Sequence, residues 1–191
     1  MSMLLDQAIE SYTKRNWKIP GEIIIFLNSC SSDQIQLYLE YFLEPSQSRI
    51  KSQFENRTVV PSFTFVMVNT KTNERFFTSG RNAGETKNVP AGTLVATDIV
   101  SQHYDFFLTS QFSNKGSTVP NHYRVVYSDS KMEEGLLQEI IFSQSFNYVN
   151  WTGSIKIPGI LQYARKSAKF ISEVGFDKPV IEDIADKFFY V

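Results

Sequence analysis

The chain has 191 residues, 42% of them hydrophobic and sixteen of them Phe, enough apolar material for the core of one globular domain and too much for a disordered chain. A formal net charge of -1 excludes the broad basic field of a protein that holds nucleic acid by overall charge, so such a partner would need a local cationic patch. The single cysteine, Cys30, excludes an internal disulfide and a multi-cysteine zinc cluster, and is compatible with a reducing compartment, cytoplasmic or nuclear.

The opening residues carry neither a basic leader nor a sustained apolar run, so neither a secretory signal nor a transit peptide is expected. No apolar stretch approaches the roughly 20 residues of a membrane helix, and no membrane partner is expected. Leu4, Leu5, Ala8, Ile9 and Tyr12 recur at helical spacing. Pro20 and Gly21 interrupt the chain before 22–26, a short apolar run that reads as a strand buried on both faces of an α/β sheet. Ser31, Ser32, Asp33 and Gln34 offer caps to a second helix carrying Ile35, Leu37, Tyr38, Tyr41 and Phe42. Residues 44–60 read as a polar connection.

Further strands are expected at 62–68, 74–77, 93–99, 104–109 and 122–127, with a hairpin turn at 69–73 and a loop at 80–92. Ser130 and Glu133 have the spacing of a capping box, and Leu136, Leu137, Ile140 and Ile141 give the next helix its apolar face. A last long helix runs from Leu161 toward Glu173 and stops near Gly175, and a short helical turn precedes Asp186 and the aromatic tail. One domain without repeats or linkers is the simplest organisation.

The residues alone offer little chemistry. His103 and His122 sit in apolar or aromatic strand contexts that suit a hydrogen-bonded structural imidazole. No pair of ligands has metal-binding spacing on a helix, and the glycines at 80, 84 and 92 lack the Lys-Ser/Thr entry of a phosphate loop. Ser31, Ser32 and Asp33 are better explained as helix caps than as a nucleophile site.

A family pattern carries the reading further. Tyr148-Val-Asn-Trp-Thr-Gly-Ser-Ile-Lys-Ile-Pro158, followed by Gln162-Tyr-Ala-Arg-Lys-Ser-Ala-Lys169, resembles the end of a Piwi domain. There the pattern is tyrosine-tyrosine-asparagine-tryptophan-proline-glycine, a short strand, a proline, then tyrosine-alanine-histidine-lysine at a helix start. Asn73-Glu-Arg-Phe-Phe77, Asn88-Val-Pro-Ala-Gly-Thr93, Tyr104-Asp-Phe-Phe-Leu-Thr-Ser-Gln111, Lys115-Gly-Ser-Thr-Val-Pro-Asn-His-Tyr123 and Val125-Val-Tyr127 resemble further Piwi blocks, in order and at near-family spacing. The resemblance spans nearly the whole chain and is closer to the Piwi branch than to the Argonaute branch. It implies the C-terminal portion of a ribonuclease-H-like α/β fold, a mixed sheet flanked by helices, with residues 1–191 as a single partial Piwi domain.

Cutting members of that family hold two divalent metals with four side chains, each an anionic or neutral ligand. The resemblance puts the first two positions upstream of this chain. It puts Asn28, a neutral amide, in the place of an aspartate, and Arg165, a permanent cation, in the place of the last histidine or aspartate. Asn28 is either a weak ligand or simply the end of a strand, and Asp33 nearby would be a displaced ligand without partners. Arg165 either neutralises backbone phosphate or forms a surface ion pair. The expectation is a domain without cofactor or cutting activity.

The resemblance also implies contacts to a guide backbone at Tyr148, Lys156 and Lys71, with Lys166 and Lys169 joining Arg165 on one helix. The orientation of Arg124 stays open. The tail Phe188-Phe-Tyr-Val191 resembles the family's C-terminus, whose carboxylate, here that of Val191, turns toward the guide 5′ phosphate. An aromatic anchor for the final helix is the alternative. The expected partners are a small guide RNA and its complementary RNA target, in RNA silencing. The alternative is a protein-interaction module or a truncated fragment without independent RNA binding, with a partner chain covering an exposed strand edge.

Overall fold

The computed structural model describes residues 2–29, 31–53, 60–80, 84–100, 104–175 and 187–190. Five strands are ordered β1 (Glu22–Asn28), β2 (Ser62–Asn69), β7 (Asn121–Ser128), β6 (Asp105–Thr109) and β5 (Thr93–Val95) in one sheet. β3 (Phe77–Ser79) and β4 (Thr86–Asn88) form a separate two-stranded ribbon. β1 and β2 are parallel whereas β5 and β6 are antiparallel, so the sheet is mixed. Helices α1 (Ser2–Asn16), α2 (Ser32–Tyr38), α3 (Glu44–Gln53), α4 (Glu134–Gln144) and α5 (Gly159–Val174) complete the described elements. None of these helices is long and apolar enough to cross a membrane.

The chain forms two compact units. The first comprises Met1–Val68, Ser101–Asp105 and Tyr123–Lys131. Parallel neighbours need a crossover, and α2 and α3 supply it between β1 and β2. Ser31 caps α2 in a reciprocal capping box with Gln34, as its sequence position predicts. α2 runs through a π-helical turn, Leu39–Leu43, directly into α3.

α3 corrects the expectation of a polar connection at 44–60. Its composition is polar, but Leu43, Ser46 and Ile50 are buried, three and four residues apart on one face. Pro45 lies in the first turn, where its missing N–H costs no helical bond. Ile9, Leu43, Ile50, Phe63 and Phe65 form the core, with Ile23, Ile25 and Leu27 of β1 packed against it. β1 is only half-buried and ends the strand order, so it is not the doubly covered strand expected. That role belongs to β2, buried from Phe63 to Val68. At the start of β2, Asp129 accepts from the Phe63 N–H (2.5 Å), Gln47 Nε2 (3.1 Å) and Tyr127 OH (3.3 Å).

The second unit comprises Asn69–Val100, Phe106–His122 and Met132–Val191. Phe107 stacks on His122 (4.5 Å between centroids, 14° between planes) and meets Phe76 edge-on. His122 is thus a structural imidazole in an aromatic stack, while His103 lies outside the described residues. Gly92, at φ +88, faces the Phe142 ring, which a Cβ would meet at 3.2 Å.

Several boundaries differ from the sequence reading. Residues 74–76 are not strand, and β3 starts at Phe77 and pairs with β4, a strand inside the expected loop. The turn at 69–73 is therefore no hairpin: Asn69 Oδ1 accepts from the Lys71 N–H, an Asx turn that leads the chain off the sheet. β5 stops at Val95 instead of 99. The Ser130 capping box does not form, because Ser130 Oγ donates to Glu22 Oε1 and the helix starts from Glu133 without a side-chain cap. On α4, Leu137 and Ile141 are buried but Leu136 is exposed. α5 ends at Gly175 with φ +67, as expected. The short turn expected before Asp186 lies outside the described residues.

Candidate functional site

The segment between α4 and α5 is fixed by backbone-directed bonds that leave little freedom to its one lysine. The Ile155 N–H donates to the Ser145 carbonyl (2.8 Å). The buried Asn121 amide donates to the Lys156 carbonyl. Ile157 is buried, and Pro158 turns the chain into α5. No strand forms between 148 and 158, so Lys156 sits on an irregular extended segment and not on the short strand expected.

The first residue of α5 sets where the helix begins. A Cβ on Gly159 would stand 2.5 Å from the Asn147 carbonyl oxygen and 3.1 Å from that of Gln144. Only glycine admits this approach of α5 to the end of α4. From that anchor, Gln162 and Arg165 follow at helical spacing on one face. They line, with Thr70, Ile155, Lys156 and Ile157, a recess of about 350 Å³.

Lys156 is half-buried, and its Nζ donates to the Thr70 carbonyl (2.9 Å). Burial first, then the charges of Arg75 and of Arg165, hold its ammonium below the ordinary lysine value of 10.5. Three cations therefore act on one another here without a carboxylate among the recess-lining residues. An anion in the recess would relieve that repulsion. Arg75 was not singled out from sequence, because 74–77 reads as strand. In the structure the chain there turns back, and Arg75 Nη1 donates to the carbonyls of Thr72 (2.9 Å) and Glu74 (2.6 Å). Thr72 Oγ1 in turn donates to the Pro120 carbonyl (2.8 Å), tying down the segment that carries Thr70.

The other expected residues are distributed as follows. Lys71 is exposed at the Asx turn, next to Thr70. Tyr148 is half-buried with its ring against Tyr163 (5.4 Å), and Tyr163 stacks on Phe188 (4.5 Å, 12°). Phe189 packs edge-on against Phe170. The aromatic tail is thus an anchor on α5, and Val191 with its carboxylate lies outside the described residues. Lys166 is half-buried. Lys169, exposed, pairs with Glu173 at 3.6 Å, which reduces what it adds to a basic face. Arg124 pairs with the buried Asp105 at 3.7 Å, a structural ion pair.

Asn28 is exposed at the last position of β1, opposite Val68 in the register, and Asp33 lies in the first turn of α2. A divalent ion needs several oxygen or imidazole ligands together, and neither a lone amide at Asn28 nor the guanidinium of Arg165 provides them. Among the described residues no group of three or more His, Cys, Asp or Glu side chains is placed to hold a metal. The described residues do not fit a two-metal centre.

The model of the Piwi domain family matches residues 1–174. Protein argonaute-3 of Drosophila melanogaster is 32% identical over 100% of this chain and 21% of its own length. Piwi-like protein 1 of Danio rerio is 28% identical over 92% of this chain and 20% of its own length. The chain thus spans about a fifth of the length of these curated relatives. Among solved structures, Drosophila Piwi superposes with a TM-score of 0.83 at 24% identity, over 98% of this chain and 25% of that one. The C-terminal lobe of a budding yeast Argonaute gives 0.81 at 23% identity, over 100% of this chain and 44% of that one. Kluyveromyces polysporus Argonaute with a guide RNA gives 0.84 at 24% identity, over 100% and 25%. These likenesses give the fold, a ribonuclease-H-like mixed sheet flanked by helices.

Proposed function

The chain belongs to the Piwi domain family, and from that premise we propose that it is a single partial Piwi domain that holds the backbone of a small guide RNA without cutting the paired target, within RNA silencing. The observation that carries this is the recess of Lys156 and Arg165. Its lining carries two cations and no carboxylate, its lysine is held below the ordinary value by burial and two neighbouring cations, and Arg165 stands where the family resemblance puts a cutting relative's metal ligand. Such a site favours a phosphate diester over a divalent metal.

The roles follow from the chemistry. Arg165 presents a planar fork able to bind two phosphate oxygens, and Lys156 a point charge steered by its bond to Thr70. Arg75 adds charge beside them, and Lys71 and Tyr148 extend the contact along the backbone. These contacts set register and affinity, and the sequence choice comes from guide–target pairing. The compartment in this reading is the cytoplasm or the nucleus.

A second reading rests on β1. It ends the strand order among the described residues and is only half-buried, so its outer edge offers a partner chain a strand to pair with. Purification from the native source separates the two. Short RNAs that co-purify with the wild type and are reduced with Lys156→Gln support guide binding. A defined protein complex devoid of RNA supports the interaction module and overturns the guide reading.

A further inference from the structure

A recess of about 250 Å³ between β5 and α4 shares no residue with the cationic one and has the opposite chemistry. Leu94, Leu108 and Phe142 give it apolar walls, Gln138 and Glu139 give it an amide and a carboxylate, and no lysine or arginine lines it. We propose that it docks a basic segment of a partner protein, which adds to β5 as a further strand and sets an arginine side chain in the recess. Docking here is independent of guide binding at Lys156.

The sheet supplies the edge. β5 is the last strand in the order among the described residues, paired to β6 on one side through Thr93–Val95. Its other side can take a further strand. Leu94 stands opposite Leu108 in the register, and both line the recess, so this is the sheet face under α4. Residues directly opposite on neighbouring strands share a face, so the residue of an added strand opposite Leu94 also points to the recess. Leu94 is exposed, and Phe146, exposed as well, meets Phe142 edge-on and widens the apolar surface. A strand of three residues is too short to hold a partner by backbone pairing alone. The recess must supply the rest.

Charge selects what enters it. The side chains of Gln138 and Glu139 have no hydrogen bond or ion pair among the described residues. From Met132 to Ile155 the chain carries no lysine or arginine, so no cation on α4 or just after it answers Glu139. The complement is a cation on an apolar stem. Arginine lays its stem along Leu94 and Phe142 and offers its planar fork to the Glu139 carboxylate and the Gln138 carbonyl. A nucleic-acid strand would instead bring its phosphates to that carboxylate, like charge against like. Room for the side chain comes from Gly135, in the first turn of α4, where a Cβ would meet nothing within 4 Å.

The test titrates the 191-residue chain into a fluorescein-labelled peptide, Thr-Val-Thr-Arg-Thr-Val-Thr, and into its counterpart with Gln for Arg, read by anisotropy. The Arg peptide should bind about tenfold more tightly, from the ion pair and the ring contact together. Glu139→Gln should weaken the Arg peptide about threefold and leave the Gln peptide unchanged, the mark of a direct pair. Gly135→Leu, which fills the open space and favours the helix, should remove binding of both peptides while urea unfolding stays at or above the wild-type midpoint. Equal binding of the two peptides, no binding up to about 1 mM, or an equal loss for both in Glu139→Gln overturns the proposal. So does a wild-type dimer in sedimentation that Gly135→Leu dissociates, which gives the edge to a second copy. Displacement of the peptide by single-stranded RNA gives the surface to nucleic acid and overturns it too.

Discussion

Replacing Lys156 with Gln separates a binding lysine from a structural one, because the first role predicts a loss of RNA affinity with little change in stability and the second a loss of stability. The substitution removes the Nζ bond to the Thr70 carbonyl (2.9 Å), a loss of about 1 kcal/mol. It also removes a half-buried charge that Arg75 and Arg165 disfavour, which offsets that loss. Stability by chemical denaturation should therefore stay within about 1 kcal/mol of the wild type. RNA affinity should not. One phosphate contact to a single strand contributes a slope of about 0.7 to the fall of log K with log salt, equivalent to about fivefold in affinity at roughly 0.1 M salt. Fluorescence anisotropy over a salt series should show the slope reduced by about that amount in the variant. An unchanged slope and affinity would remove Lys156 from the RNA contact, and a loss of stability of about 3 kcal/mol or more would make it a structural residue.

Three further outcomes follow from the same geometry. Lys156 titrates below 10.5 in the fold, so between its lowered value and the ordinary one the unfolded chain holds more protons, and its contribution to stability rises with pH across that window. RNA affinity should fall across the same window as the cation is lost, whereas Lys156→Arg, always charged, should hold it flat; a pH series of titrations reads both. Gly159→Ala should destabilise by about 1–3 kcal/mol despite the better helix propensity of Ala, because its Cβ meets two carbonyl oxygens; urea unfolding measures it, and a neutral result would show that α5 shifts freely. Asp129→Ala should cost about 2–3 kcal/mol by the same assay, since it strips the acceptor from the Phe63 N–H and from Gln47 and Tyr127.

Much of the fold was legible where periodicity and capping agree. Ser31 and Gln34, the apolar run of β2 and the Gly175 stop each act within a few residues. The misreadings arise where a distant partner competes for a local signal. Ser130 has the spacing of a helix cap, but its hydroxyl goes to Glu22, 108 residues away in sequence. α3 was hidden because its buried face consists of Leu43, Ser46 and Ile50 amid polar residues. β1 looked like a central strand because an apolar run does not reveal how many neighbours the strand has.

The candidate site residues came from resemblance and not from chemistry. Nothing in the spacing of Lys156 and Arg165 shows that they line one recess, since that depends on the close contact at Gly159. Arg75 had no local signal, because its place depends on a turn read as strand. Val191 and His103 fall outside the described residues, so the structure leaves their expected roles as they stood.

On the proposed reading, this surface grips a guide and does not cut its target. One sample tests both halves: the chain loaded with a 5′-phosphorylated guide RNA, given labelled complementary RNA in Mg²⁺ or Mn²⁺, then assayed for retained label and for its length. The target should be retained in a guide-dependent way and still be full-length. Guide-dependent shortening of the target, lost with Arg165→Ala, would contradict it.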